Sequence, residues 1–250
     1  MQAIAIIPAR IASTRLPRKI LREIAGKTML ERVYTAARGC SQLADVIVAT
    51  DSDEIFSACA SRGWKAQMTS AEHRSGTDRV HEVATGLMRC GAADAQTVFV
   101  NVQGDEPLAR PEHIEALLRP MALANVLIST VCTPCKEEDI ANPNAVKVVT
   151  RLDGRALYFS RATIPFDRDR NGTFAYRKHL GFYGYRYSAL DRFRDLPESQ
   201  LEGSERLEQL RFLDNGFDIV VEETPFDTIG VDTEDDLRRV EAVLKSEGRA

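Results

Sequence analysis

A layered α/β fold with a mostly parallel central sheet flanked by helices is predicted by two features of the sequence. Short apolar runs alternate with amphipathic segments through the first half of the chain, and the runs are apolar on both faces. Strands of that kind are what a parallel sheet covered by helices on each side requires. At 250 residues the chain is long enough for a sizeable core, and a single domain over 1–250 is expected.

The elements follow in order. Residues 3–7, Ala-Ile-Ala-Ile-Ile, read as the first strand; 28–38, with Met29, Leu30, Val33 and Ala37, as a helix; and 45–49 as the second strand. Thr50-Asp51-Ser52-Asp53-Glu54 supplies capping groups for a helix over 53–62. Gly76-Thr77-Asp78 precedes a helix with Val80, Val83, Ala84, Leu87 and Met88 on its apolar side. The strand at 97–102 closes with Gln103-Gly104-Asp105-Glu106-Pro107, and the runs 124–131 and 145–150 also read as strands. From 155 to 225 the segments become shorter and more aromatic, which predicts an excursion into a small mixed sheet or a dimer contact. Asp167–Lys178, charged and containing Asn171-Gly172, reads as a solvent-facing turn. Glu205–Leu213 reads as one helix with Leu207, Leu210 and Leu213 inward. Glu205 and Glu208 then share another face, where they can act on a sugar hydroxyl or hold Arg211. The last helix starts after Asp232, with Thr233 and Asp236 at capping-box spacing.

Charge and composition narrow the function classes. A formal net charge of -4 argues against a nucleic-acid platform, which needs a basic face. No run of apolar residues approaches the length that crosses a bilayer, and Met1-Gln2 leads directly into the first strand, so a cytoplasmic protein without stable membrane insertion is expected. Cys132-Thr133-Pro134-Cys135 has redox-like or metal-like spacing, but there is no second pair to complete four thiolate ligands. The histidines at 73, 81, 113 and 179 show no zinc-ligand spacing.

Chemistry concentrates after the first strand. Arg10, Arg15, Arg18 and Lys19, with the hydroxyls of Ser13 and Thr14, form a basic loop that reads either as a site for a polyanion such as a triphosphate or as a solvated basic turn. It is not the GxxxxGK[ST] loop of a P-loop nucleotidase. Asp105, just beyond the 97–102 strand, and Asp232, before the last helix, suit a magnesium ion if the sheet brings them together; otherwise they are capping or surface carboxylates. Ser75-Gly76-Thr77-Asp78-Arg79 reads as a base- or sugar-binding segment or as a helix cap. His179, near Phe182, Tyr183 and Tyr185, reads as a ligand donor or as a hydrogen-bonded core histidine.

Taken together, the motifs resemble the 3-deoxy-D-manno-octulosonate (Kdo) cytidylyltransferases, or CMP-Kdo synthetases. The matching pieces are Ile7-Pro8-Ala9-Arg10, Ser13–Pro17 with Lys19, Ala49-Thr50-Asp51, Ser75–Arg79, Asn101–Pro107, Asn142–Lys147, Tyr158–Pro165, His179-Leu180-Gly181 with Tyr183-Gly184-Tyr185, Leu207–Arg211 and Gly230–Thr233, in order over nearly the whole chain. The resemblance implies a Rossmann-like nucleotidyltransferase fold and the reaction of CTP with Kdo to give CMP-Kdo and diphosphate, with Mg2+, in lipopolysaccharide synthesis. It also implies a cytoplasmic homodimer whose 155–225 region makes the dimer contact and the sugar side. Arg10, Ser13, Arg15 and Lys19 would hold the triphosphate, Ser75, Gly76, Thr77 and Arg79 the cytidine, and Asp105 with Asp232 the metal. Gln103, Arg161, Arg168, His179, Tyr185 and Glu208 would hold Kdo. The family pattern commonly has glycine before the loop lysine, where this chain has Arg18. A cytidylyltransferase for a related acidic sugar, and a non-catalytic nucleotide-sugar-binding regulator, are the competing readings.

Overall fold

The alternating pattern of the first half resolves into alternating strands and helices. The computed structural model describes all residues except 14, 170, 171, 173 and 250. β1 (Ala3–Ala9) leads through the basic loop to a 3-10 turn at Lys19–Leu21 and a hairpin of β2 (Glu23–Ile24) and β3 (Lys27–Thr28). There follow α1 (Met29–Gly39), β4 (Asp45–Thr50), α2 (Asp53–Ala60), β5 (Lys65–Met68), α3 (Gly76–Arg89) and β6 (Val98–Asn101). α4 (Pro111–Met121) opens the later part, which contains β7 (Ile128–Pro134), α5 (Glu137–Ile140), β8 (Lys147–Thr150), β9 (Ala156–Ser160) and β10 (Arg177–Arg186). It continues with α6 (Tyr187–Phe193), α7 (Gln200–Glu205), α8 (Gln209–Asp214) and β11 (Val220–Glu223), before α9 (Glu234–Ser246) ends the chain. Two compact units result: residues 1–115 with those from Thr228 on, and residues 116–227.

In the first unit the strands run parallel in the order β6-β1-β4-β5. The sheet grows outward from β1 through β4 to β5, then returns to the other side of β1 with β6. Loops leaving β1 and β6 therefore flank the point where the winding reverses, the place at which open α/β sheets receive ligands. Those are the loops that carry Arg10–Lys19 and Gln103–Pro107. Four helices start on the capping group their sequence offers: Thr28 accepts from the Glu31 N–H, Ser52 from Ile55, and Ser75 and Thr233 form capping boxes with Asp78 and Asp236.

The second unit holds the mixed sheet predicted after residue 155, although it starts earlier. β11 is parallel to β7, while β7 with β10, β10 with β8, and β8 with β9 are antiparallel. Two expectations are corrected. The run 124–131 is not a strand throughout, because a turn with the Val126 N–H donating to Leu123 O follows α4, and β7 begins only at Ile128. Glu205–Leu213 is not one helix: Arg206 adopts a left-handed φ of 55° that ends α7, and α8 begins at Gln209. Leu207 and Leu210 are buried as predicted, but Glu205 and Glu208 do not share a helix face. The Asn171 half of the predicted turn lies outside the described residues; Gly172 has φ 66°. Among the described residues no helix is long and apolar enough to cross a membrane.

Gly104 shows how tightly the β6 loop is seated. A Cβ there would stand 2.6 Å from Ile20 Cδ1 and 2.8 Å from the Pro8 carbonyl oxygen. The second contact is with backbone and cannot be relieved by a rotamer change. Gly104→Ala is accordingly expected to lower the unfolding free energy by about 1–3 kcal/mol, read from urea denaturation.

Candidate active site

Leu16 fixes the basic loop. It is buried with Ile24, Met29, Leu108 and Val231, and with Leu237, Val240 and Leu244 of α9. Burying that one side chain leaves Arg15 and Arg18 exposed on either side. Ser13 Oγ accepts from the Leu16 N–H at 3.4 Å, a bond that shapes the turn. Thr14 lies outside the described residues. Arg10 is exposed just past β1. Arg18 adopts φ 55°, the left-handed conformation that the glycine of the family pattern would take without strain, and its guanidinium pairs with Glu54 of α2. The added charge is thereby turned away from Lys19.

Lys19 points inward. Its Nζ donates to Asp105 Oδ2 at 2.8 Å and to Asp232 Oδ1 at 3.0 Å, while Arg15 reaches Asp232 Oδ2 at 2.9 Å. The two acidic segments are joined through the backbone, with the Val231 N–H donating to the Asp105 carbonyl at 2.9 Å. Burial pulls the Lys19 pKa down, but Asp105 and Asp232 outweigh it and the pKa is raised. Burial likewise pushes Asp232 up, and Lys19 with Arg15 overcomes that to hold its carboxyl below the usual range. Lys19 and Asp232 are therefore each held in their charged form by the partner they meet.

The segment beginning at Ser75 is a helix start. Ser75 Oγ accepts from the Asp78 N–H at 3.1 Å and donates to Asp78 Oδ2, so its hydroxyl is engaged in the cap. Gly76 lies beneath the Gln103 amide: a Cβ there would be 3.4 Å from both Gln103 Nε2 and Oε1 and 3.3 Å from Pro8 Cγ. Gln103 is thus grouped with the cytidine candidates. Thr77 is buried, and so is Arg79, whose side chain is only 4% exposed and donates to Asp51 at 2.8 Å and to Thr69. Arg79 ties α3 to the ends of β4 and β5. Asp51 was passed over in the sequence because its neighbourhood reads as a cap, a role that Ser52 fills. The available signal was Arg79 itself, a charged residue four positions before Val83 on the inward face of α3 and so in need of a partner.

In the second unit three sugar-side candidates gather around Tyr183. His179 Nε2 lies 2.9 Å from the Tyr183 hydroxyl and 3.0 Å from Thr130 Oγ1, Tyr185 stacks on Tyr183 with centroids 5.7 Å apart, and the charge of Glu208 acts on Tyr183. Enclosure of the imidazole pushes the His179 pKa down to about 3, which leaves it neutral at pH 7. Arg161 is directed elsewhere, donating to the carbonyls of Glu205 and Pro143 at 2.7 and 3.0 Å, and Arg168 is exposed. Glu205 accepts from Ser160 and the Arg161 N–H, and Arg211 pairs in bidentate fashion with Glu202. Lys147, within the Asn142–Lys147 motif but given no role there, is fully buried with its Nζ donating to the carbonyls of Asn142 and Ala145. Lys178 corrects the expected solvent-facing turn, since it lies in β10 and bridges Asp139 and Asp227. Within the CxxC pair, burial drives the Cys132 thiol up to about 12, where it is an unreactive core group.

Comparison with known proteins places this arrangement among relatives. Residues 4–221 match the Cytidylyltransferase family. The chain is 67% identical over 246 residues to the 3-deoxy-manno-octulosonate cytidylyltransferase of Koribacter versatilis, covering 98% of this chain and 91% of that one. It is 56% identical to the Acidobacterium capsulatum protein of the same name, covering 98% and 97%. A solved structure of CMP:2-keto-3-deoxy-manno-octonic acid synthetase complexed with CTP superposes with a TM-score of 0.91 at 40% identity, over 99% of this chain and 100% of that one.

The Arg79 cluster and the His179 imidazole each make a measurable difference. Arg79→Ala strands Asp51 and Thr69 and is expected to cost about 3 kcal/mol of folding stability by urea denaturation, whereas a side chain serving only as a ligand would leave stability unchanged. At His179 the unfolded chain takes up a proton near its ordinary pKa of about 6.5, which the folded chain refuses until about pH 3. The unfolded state binds more protons in that window, so stability falls as pH falls through it, by up to about tenfold in the folding constant per pH unit. His179→Gln is expected to show a shallower loss than the parent protein when both are unfolded in urea at a series of pH values down to about 4.

Proposed function

We infer, from the chain's membership of the 3-deoxy-manno-octulosonate cytidylyltransferase family, that it transfers CMP from CTP to Kdo and releases diphosphate. The observation that carries this reading at the level of the site is the meeting of Lys19, Asp105 and Asp232, from segments up to 213 positions apart, at the switch point of the parallel sheet. Arg10, Ser13, Arg15 and Lys19 bind the triphosphate, and Ser75, Gly76, Thr77 and Gln103 receive the cytidine, with Arg79 positioning that segment. Kdo is assigned to His179, Tyr185 and Glu208, with exposed Arg168 as a further anion partner. Arg161, held by the carbonyls of Glu205 and Pro143, positions that segment instead of meeting the sugar.

Asp105 and Asp232 fit a magnesium ion. They are hard oxygen donors already converging on one cation, and their side chains are 36% and 45% exposed, open enough to admit phosphate oxygens and water. No group of three or more His, Cys, Asp or Glu that would make a closed protein cage occurs among the described residues. Two carboxylates completed by substrate phosphates are the usual setting for this metal. When bound, Mg2+ supplies Lewis-acid polarisation of phosphoryl oxygens.

In the reaction the anomeric hydroxyl of Kdo attacks the α-phosphorus of CTP. A new C–O–P linkage forms as the bond to the bridging oxygen of the diphosphate breaks, roughly in line. Both substrates are anions, and each pair of like charges about 4 Å apart is opposed by about 4 kcal/mol near a protein surface. Arg10, Arg15 and Lys19 offset that repulsion and receive the charge that moves onto the diphosphate. His179, being neutral, contributes hydrogen bonding and no charge.

Exposed Leu152, Leu157 and Phe166 in the second unit support a homodimer built on the 155–225 region. Five free cysteines suit the reducing cytoplasm, where the product would enter lipopolysaccharide synthesis. Incubation with CTP, Kdo and Mg2+ is expected to yield CMP-Kdo by mass spectrometry, with no product when any one component is omitted. Asp105→Asn should lower kcat by about 100-fold or more at saturating magnesium with the fold intact by circular dichroism; near-normal turnover would overturn the role given to Asp105.

A further inference from the structure

The Asp105–Asp232 carboxylate pair is engaged by a side chain of the protein itself. Lys19 Nζ lies within hydrogen-bond distance of one oxygen from each aspartate, and the Lys19 side chain is 15% exposed, so it is enclosed there. Asp232 has its second oxygen engaged by Arg15, which is 66% exposed and free to swing into solvent. A divalent ion held by both aspartates would compete with the ammonium for the oxygens it already engages, Asp105 Oδ2 and Asp232 Oδ1, and the two cations repel at that distance.

We propose that Lys19 serves as the resident counter-ion of the Asp105–Asp232 pair, so that a divalent metal gains the pair only when nucleotide phosphates draw the ammonium away. This rests on the reading of the two aspartates as the metal's ligands. The triphosphate is the anion able to receive Lys19, because the same loop presents Arg10 and Arg15 to it. Nucleotide and metal then bind as a coupled pair, and the coupling is reciprocal: each raises the affinity for the other by the same factor. In the absence of nucleotide the ammonium, with the Arg15 guanidinium on Asp232, balances the two acids and discourages adventitious capture of divalent ions.

Mn2+ binding followed by electron paramagnetic resonance tests this on the full-length protein without turnover. The parent protein should bind Mn2+ weakly alone and much more tightly with CTP. Lys19→Met and Lys19→Gln, two variants of different polarity, should each bind Mn2+ at least tenfold more tightly than the parent without nucleotide, and CTP should enhance their Mn2+ binding less. Adding Asp105→Asn to either variant should abolish the gain. If both single variants bind Mn2+ no more tightly than the parent while still forming a CTP–Mn2+ complex, the counter-ion role is overturned and the functional reading stands. A gain that survives Asp105→Asn also overturns the role, since the ion would then sit elsewhere. Absence of CTP-dependent Mn2+ binding in the parent, together with absence of CMP-Kdo synthesis, would instead remove the functional reading and this inference with it.

Discussion

Two carboxylates held at one point of a fold need a cation beside them, and the first unit is organised around meeting that need. The backbone bond from Val231 to Asp105 brings the acids together. The buried Leu16 then sets the basic loop so that Lys19 can reach both. A sheet that winds outward from β1 and returns at β6 places the two contributing loops side by side at its carboxyl edge. Shifted pKa values follow from the arrangement: the lysine is raised and Asp232 lowered, each against its own burial, because ionised partners stand within hydrogen-bond distance.

The second unit handles buried charge in another way. Lys147 donates from its ammonium to the carbonyl oxygens of Asn142 and Ala145, and burial lowers its pKa. Lys178 keeps a raised pKa because Asp227 and Asp139 outweigh its desolvation. His179 gains no carboxylate and is driven neutral. Within one sheet, then, the outcome for each basic group is decided by whether a carboxylate accompanies it inside.

Elements with local causes were legible in the sequence. Runs that are apolar on both faces gave the parallel strands, and Thr233 with Asp236 marked the start of the last helix, because a capping box is written within four positions. The helix α3 begins earlier than read, since Gly76, Thr77 and Asp78 form its first turn instead of preceding it. The break at Arg206 was not legible: leucine spacing continues across it, and nothing local announces that an arginine will take a left-handed backbone conformation. Contacts between distant segments were equally hidden. The basic loop and the two aspartates stood out individually, but their meeting depends on strand order, and the Asp51–Arg79 pair depends on how α3 lies against β4 and β5. Family resemblance supplied the grouping that periodicity could not. It did not reveal that Arg79 is enclosed or that Arg161 is held by carbonyls.

The two capping boxes have a bearing on time as well as on place. Each closes its hydrogen bonds on its own backbone, and the Asp232 N–H also donates to Asp236. Helix starts secured in this way hold their positions whether or not anything is bound beside them. Long side chains beside them, such as the exposed Arg15, can still turn, and at exposed positions such rotations finish within nanoseconds. A backbone fixed by its own bonds and side chains able to reorient quickly thus stand next to each other in the first unit.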